Sequence, residues 1–140
     1  MIKLRVRPLT ADDVPLVVEL LQNLSSFYPT ASTQKSLWDD FSLWKNTFSL
    51  VAEHADYVVG YGSLVIETKI RGGRLGHIED VVTSPEYRRL GVGRAIVSGL
   101  MDVAKAHGCY KVCLHTKERN ANFYASCGMV ISGLSMEKYL

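Results

Sequence analysis

Cysteine is scarce: the 140 residues hold three, Cys109, Cys113 and Cys127, with no CxxC pair. An odd count without paired spacing argues against a disulfide framework and against a thiolate zinc site, and reads as small core-filling thiols kept reduced. No apolar run approaches the roughly eighteen residues of a membrane span. The opening MIKLRVRPLT alternates charged and apolar residues and lacks the apolar centre of a signal peptide. An excess of charge is missing too: 16 Lys and Arg against 14 Asp and Glu leave a formal +2, too even for nucleic-acid binding by bulk electrostatics. The expectation is a cytoplasmic protein with neither a membrane nor a nucleic-acid partner. There is no repeat, no low-complexity segment and no linker rich in Pro, Gly or Ser. What is present is 47% apolar and 21% charged residues, an ordinary globular balance, in a length suited to one domain over residues 1–140.

Residues 2–7, IKLRVR, alternate strictly and predict a half-buried strand. Thr10 with Asp13 three residues on resembles a capping box, and Val14, Val17, Val18, Leu20, Leu21 and Leu24 then give a helical face. A second helix is expected over about 33–45, striped by Leu37, Trp38, Phe41 and Trp44. TFSLVAEH and YVVGYGSLVIETKI are β-rich runs joined at His54-Ala55-Asp56, RGGR at 71–74 is the next turn, and LGHIEDVVT at 75–83 the next strand. A helix over about 91–107 stops at Gly108; CYKVCLHT is a strand, RNANFYASCG a short helix, and 129–139 a final strand or hairpin. The order β-α-α-β-β-β-α-β-α-β describes a mixed α/β domain with a central meander and a βαβ crossover after it.

Between the 75–83 strand and the helix after it lies RRLGVGRA at 88–95. Backbone N–H groups at a helix N-terminus attract anions, and glycine admits a phosphate close to the backbone. A P-loop needs GxxxxGK[ST], and neither that spacing nor the lysine is present. A dinucleotide fingerprint needs a third glycine where Ile96 stands and normally follows the first strand. A glycine-softened turn with solvated arginines is the plainer alternative.

The pattern R-x-x-G-x-G, here Arg88, Gly91 and Gly93 between an apolar strand and an amphipathic helix, resembles the coenzyme A signature of the GNAT acyltransferase superfamily. GHIEDVV at 76–82, GCYKV at 108–112, N-x-x-FY-x-x-CG at 120–128 and Lys69 in VIETKI together look like the glucosamine-6-phosphate N-acetyltransferases, densely over about 58–138. The resemblance implies a single α/β GNAT-like domain with a mixed central sheet. It also implies acetyl-CoA as co-substrate, a small-molecule amine acceptor, direct transfer without an acyl-enzyme, and a homodimer. It assigns the pyrophosphate to backbone N–H groups of Arg89, Leu90, Gly91, Val92, Gly93 and Arg94, and the pantetheine and thioester carbonyl to backbone groups of Val81 and Val82. Asn120 would lie near the cofactor, or serve as a helix cap.

Tyr124 is the implied proton donor to the departing sulfur, the alternative being a core aromatic beside Phe123. Glu79 and Asp80, adjacent on a strand, should point to opposite faces, so they are not expected to act as a paired-carboxylate site. Each borders the acceptor by resemblance; Glu79 is preferred as the base that takes the amine proton, against a surface ion pair or a structural bulge. His115 stands where the sugar enzymes carry a carboxylate, and a neutral imidazole still offers a base there. Tyr139, beside Lys138, replaces an arginine used for the sugar phosphate, which leaves Lys69 as phosphate candidate. Another amine acceptor, or an acyl-CoA-binding module without turnover, are the competing functions. Cys113 and His77 read as structural.

Overall fold

A computed structural model describes residues 2–140. One five-stranded sheet runs in the order β1 (Arg5–Pro8), β2 (Thr47–His54), β3 (Tyr57–Thr68), β4 (Arg74–Thr83), β5 (Cys109–Leu114). The first four strands pair antiparallel as a meander, and β5 joins β4 in parallel through the crossover helix α3 (Val92–Ala106). The expected mixed α/β architecture is therefore present.

Helix α3 carries Val92, Ile96, Val97, Leu100 and Ala104 on its inward stripe, all buried against one face of the sheet. It lies unusually close, because a Cβ at Gly60 or Gly62 would come 2.5 Å from Val92 or 2.6 Å from Ile96. The opposite face is covered in part by α1 (Val14–Leu21), whose Val17 and Leu20 pack with Val51, Tyr61 and Val82. The Asp13 carboxylate reaches back to the Thr10 N–H at 2.8 Å, as the spacing predicts, in a 3-10 turn that leads into α1.

Several boundaries differ from the sequence reading. β1 begins at Arg5 rather than Ile2, since its ladder with β2 runs only from Arg5↔Glu53 to Pro8↔Leu50. Helix α2 (Ala31–Ser42) starts earlier because Thr30 caps it, accepting from the Thr33 N–H at 3.2 Å. No α2 residue is fully buried, and Leu37 and Trp44 face outward. The short helix resolves into a 3-10 turn and α4 (Ala121–Ser126). Among the described residues the expected strand over 129–139 is not formed. A strand needs a neighbour for its ladder; residues 129–139 pair with none, and Gly133 breaks the extended path with a φ of 78°.

Candidate active site

Strands β4 and β5 part company in the middle of the sheet. Their last paired residues are Ile78 and Leu114, where β5 stops. β4 continues to Thr83, so the backbone edge of residues 79–83 on the β5 side has no strand beside it among the described residues. A β-bulge sits at the same place. Ser63 pairs with Glu79 and Tyr61 with Val82, so Asp80 and Val81 together oppose Gly62. Asp80 takes a φ of 54°. Ile78 and Val81 both pack toward α3, whereas Val82 packs under α1. Simple alternation therefore does not describe Glu79 and Asp80: the extra residue interrupts it between them, and both carboxylates are exposed.

The loop closes one end of this opening. After the 3-10 turn Pro85–Tyr87, Arg89 adopts a φ of 63° and Gly91, the residue that caps α3, a φ of 89°. Successive left-handed and right-handed residues turn their N–H groups to one side and make a concave anion site. Among the described residues no backbone carbonyl accepts from the N–H of Arg89, Leu90 or Gly91, and the first N–H groups of α3 lack intrahelical partners by geometry. Arg88 and Arg89 are exposed beside them. These features fit a pyrophosphate. Gly93 has a second reason to be glycine: its Cβ would stand 3.1 Å from Phe123 Cζ and 3.5 Å from Thr83 Oγ1. The Arg94 side chain is taken up by α4, donating to the Ser126 carbonyl at 3.0 Å and to Ser126 Oγ at 2.7 Å. The head of α3 and α4 are thereby locked together.

Tyr124 lies on α4, which that lock holds against the head of α3. Tyr124 is half-buried, stacked edge-on to Phe123 at 4.9 Å between ring centres. Burial pushes its phenol above the ordinary value, with Cys127 adding a smaller push, so the hydroxyl keeps its proton at neutral pH. Asn120 precedes α4, is exposed, and makes no side-chain cap hydrogen bond, which removes the capping alternative. His115, the first residue past β5, is exposed, and its Nδ1 is hydrogen-bonded to Ser135 Oγ. Ser135 escapes sequence reasoning, because a contact between residues twenty positions apart has no local signal.

Lys69 is not brought to this opening. It sits in the turn between β3 and β4, where its N–H donates to the Gly73 carbonyl at 3.1 Å and its Nζ lies 3.5 Å from Glu67. Ser63, level with Glu79, is six residues back along β3, which at the usual rise puts Lys69 about 20 Å away. Lys69, the phosphate candidate, is in its own chain a turn lysine with a carboxylate partner.

Comparison with known proteins matches residues 17–129 to the acetyltransferase (GNAT) family. A glucosamine 6-phosphate N-acetyltransferase of Trypanosoma brucei brucei is 35% identical over 131 residues, covering 91% of this chain and 89% of the relative. One from Oryza sativa subsp. japonica is 34% identical over 142 residues, covering 96% and 86%. The crystal structure of glucosamine-6-phosphate N-acetyltransferase from Arabidopsis thaliana superposes with a TM-score of 0.90 at 32% identity, covering 98% of both chains.

Proposed function

The chain belongs to the acetyltransferase (GNAT) family and is an acetyl-CoA-dependent N-acetyltransferase; from that premise we propose that its acceptor is the amine of glucosamine 6-phosphate or a closely similar amino sugar. The observation that carries the reading is the juxtaposition of the N–H-lined loop at Arg89 and Gly91 with the unpaired edge of β4 beyond Ile78. The relatives' names supply the sugar.

In this mechanism Arg88 and the backbone N–H groups from Arg89 to Arg94 hold the pyrophosphate of acetyl-CoA. The free edge at Val81 and Val82 aligns the pantetheine and polarises the thioester carbonyl through preorganised backbone dipoles. Asn120 flanks the cofactor from the start of α4. Tyr124, protonated and half-desolvated, donates to the sulfur as it leaves. The attacking amine must first lose a proton, and Glu79 at the bulge takes it directly or through a water, with Asp80 beside it. His115 faces the acceptor, its Nδ1 hydrogen-bonded to Ser135 Oγ, and its neutral imidazole offers a second base.

A homodimer belongs to the same reading. The segment after α4 exposes Val130, Ile131, Leu134 and Met136 almost completely, and the outer edge of β5 has no strand beside it among the described residues. A second copy would cover both. The half-buried, unpaired thiols suit a cytoplasmic protein. A second reading, a different amine acceptor, draws on two observations: His115 cannot supply a fixed negative charge to an ammonium group, and Lys69 is remote from the opening of its own chain. Under the sugar reading, a phosphate held by Lys69 would lie in the site of the other protomer. Acetyl transfer measured across glucosamine 6-phosphate, glucosamine and lysine peptides separates the two. The phosphorylated sugar should give the highest kcat/KM; a peptide that outperforms it would overturn the sugar assignment.

A further inference from the structure

The open face of the sheet holds a second set of reactive groups that acetyl transfer leaves unused. Cys113 on β5 pairs with His77 on β4, and Glu67 on β3 lies on the diagonal, two residues beyond His77's partner Val65. Cys113 Sγ is 3.3 Å from His77 Nδ1, and His77 Nε2 is 2.9 Å from Glu67 Oε1. Lys69 Nζ steadies the other carboxylate oxygen at 3.5 Å. A carboxylate only accepts, so Nε2 carries the ring proton and donates it to Glu67. Nδ1 is then the basic nitrogen, and the thiol is its donor. Nucleophile, base and orienting acid in that order are how a protein activates a thiol.

The arrangement is linear and is not a metal site: among the described residues no group of three His, Cys, Asp or Glu side chains could hold an ion. It is reachable, since Cys113 is half-buried while His77 and Glu67 are 35% and 47% exposed. Of the three cysteines, Cys113 is the one with a histidine hydrogen bond among the described residues. The His77 and Lys69 contacts also hold the Glu67 carboxyl below its ordinary value, which keeps it an acceptor.

We propose that Cys113 is a site of reversible S-thiolation by low-molecular-weight disulfides. Cys113 passes its proton to His77 Nδ1, and the thiolate attacks one sulfur of the disulfide. A new S–S bond forms as the old one breaks, and His77 returns the proton to the departing thiolate. Cys113 is oxidised and the leaving sulfur is reduced, so the exchange balances without a further reagent. Cys113 stands two residues before His115, which follows directly on the end of β5, about 7 Å away at the usual rise. An adduct there crowds the acceptor side of the opening and stops acetyl transfer. Only this effect on turnover rests on the functional reading above; the covalent step does not.

The test is incubation of the protein with oxidised glutathione, with the adduct located by peptide mass spectrometry and acetyl transfer followed in parallel. The adduct is expected at Cys113 about tenfold faster than at Cys109 or Cys127, because among the described residues only that thiol is hydrogen-bonded to a histidine. Activity should fall with it and return on reduction. His77→Gln and Glu67→Gln, each checked for native circular dichroism, should slow the adduct about tenfold and severalfold respectively. Cys113→Ser should keep acetyl transfer and lose its sensitivity to the disulfide. Equal rates at the three cysteines, or no slowing in either relay variant, would overturn the proposal. If glucosamine 6-phosphate proves not to be the acceptor, the adduct still forms at Cys113, so the two readings fail separately.

Discussion

Arg7 grips Asp13 with two guanidinium nitrogens, each 2.7 Å from a carboxylate oxygen, and donates from Nε to Glu53 at 2.8 Å. Asp13 is only 5% exposed, and the Arg7 hydrogen bonds, opposed by burial, hold its carboxyl at about 2 against an ordinary 3.8. The folded value lies below the unfolded one. The pair's stabilisation is therefore complete above about pH 4 and is lost as pH falls toward 2, an effect of about 2 kcal/mol. Thermal melts between pH 5 and pH 2 should show this loss. Arg7→Gln should cost about 3 kcal/mol at neutral pH, because it leaves a buried carboxylate unpaired. At the opening, Tyr124→Phe should lower kcat about a hundredfold while acetyl-CoA binding, read by calorimetry, stays unchanged. The loop before α3 and the short helix that carries Tyr124 were legible as elements because each is a contiguous motif. The link from His115 to Ser135 and the chain from Cys113 to Glu67 were not: they depend on strand register and on where the tail returns, neither of which a local pattern encodes.

At the scale of the element, the proposed mechanism puts the cofactor's pyrophosphate on the segment between β4 and α3. Gly91 caps α3 in the left-handed region, where a β-branched residue is strained by more than about 1 kcal/mol. Gly91→Val should weaken acetyl-CoA binding about tenfold as the N–H groups turn away, with calorimetry as the readout. The glycine spacing announced this loop, and the 3.6-residue period announced α3. The bulge at Asp80 had no comparable signal, since an extra residue in a strand leaves the apolar pattern locally ambiguous. The last expected strand failed for a related reason. The pattern of residues 129–139 suits a strand, but a strand forms only beside another, and among the described residues this segment pairs with none, the free edge of β5 included.

At the scale of the whole molecule, the meander with its crossover brings the loop before α3 and helix α4 beside the broken edge of β4, and leaves the residues after α4 uncovered. Sedimentation equilibrium should give twice the chain mass, and removal of residues 130–140 should return a monomer whose acetyl transfer is much reduced. A full-length chain that sediments as a monomer would remove the dimer from the account. The most direct test is thiol release from acetyl-CoA on addition of glucosamine 6-phosphate, followed with a thiol-reactive dye. The account predicts one thiol freed for each sugar acetylated, at a rate that saturates with sugar. Thiol release no faster than acetyl-CoA hydrolysis alone, at any sugar concentration, would contradict it.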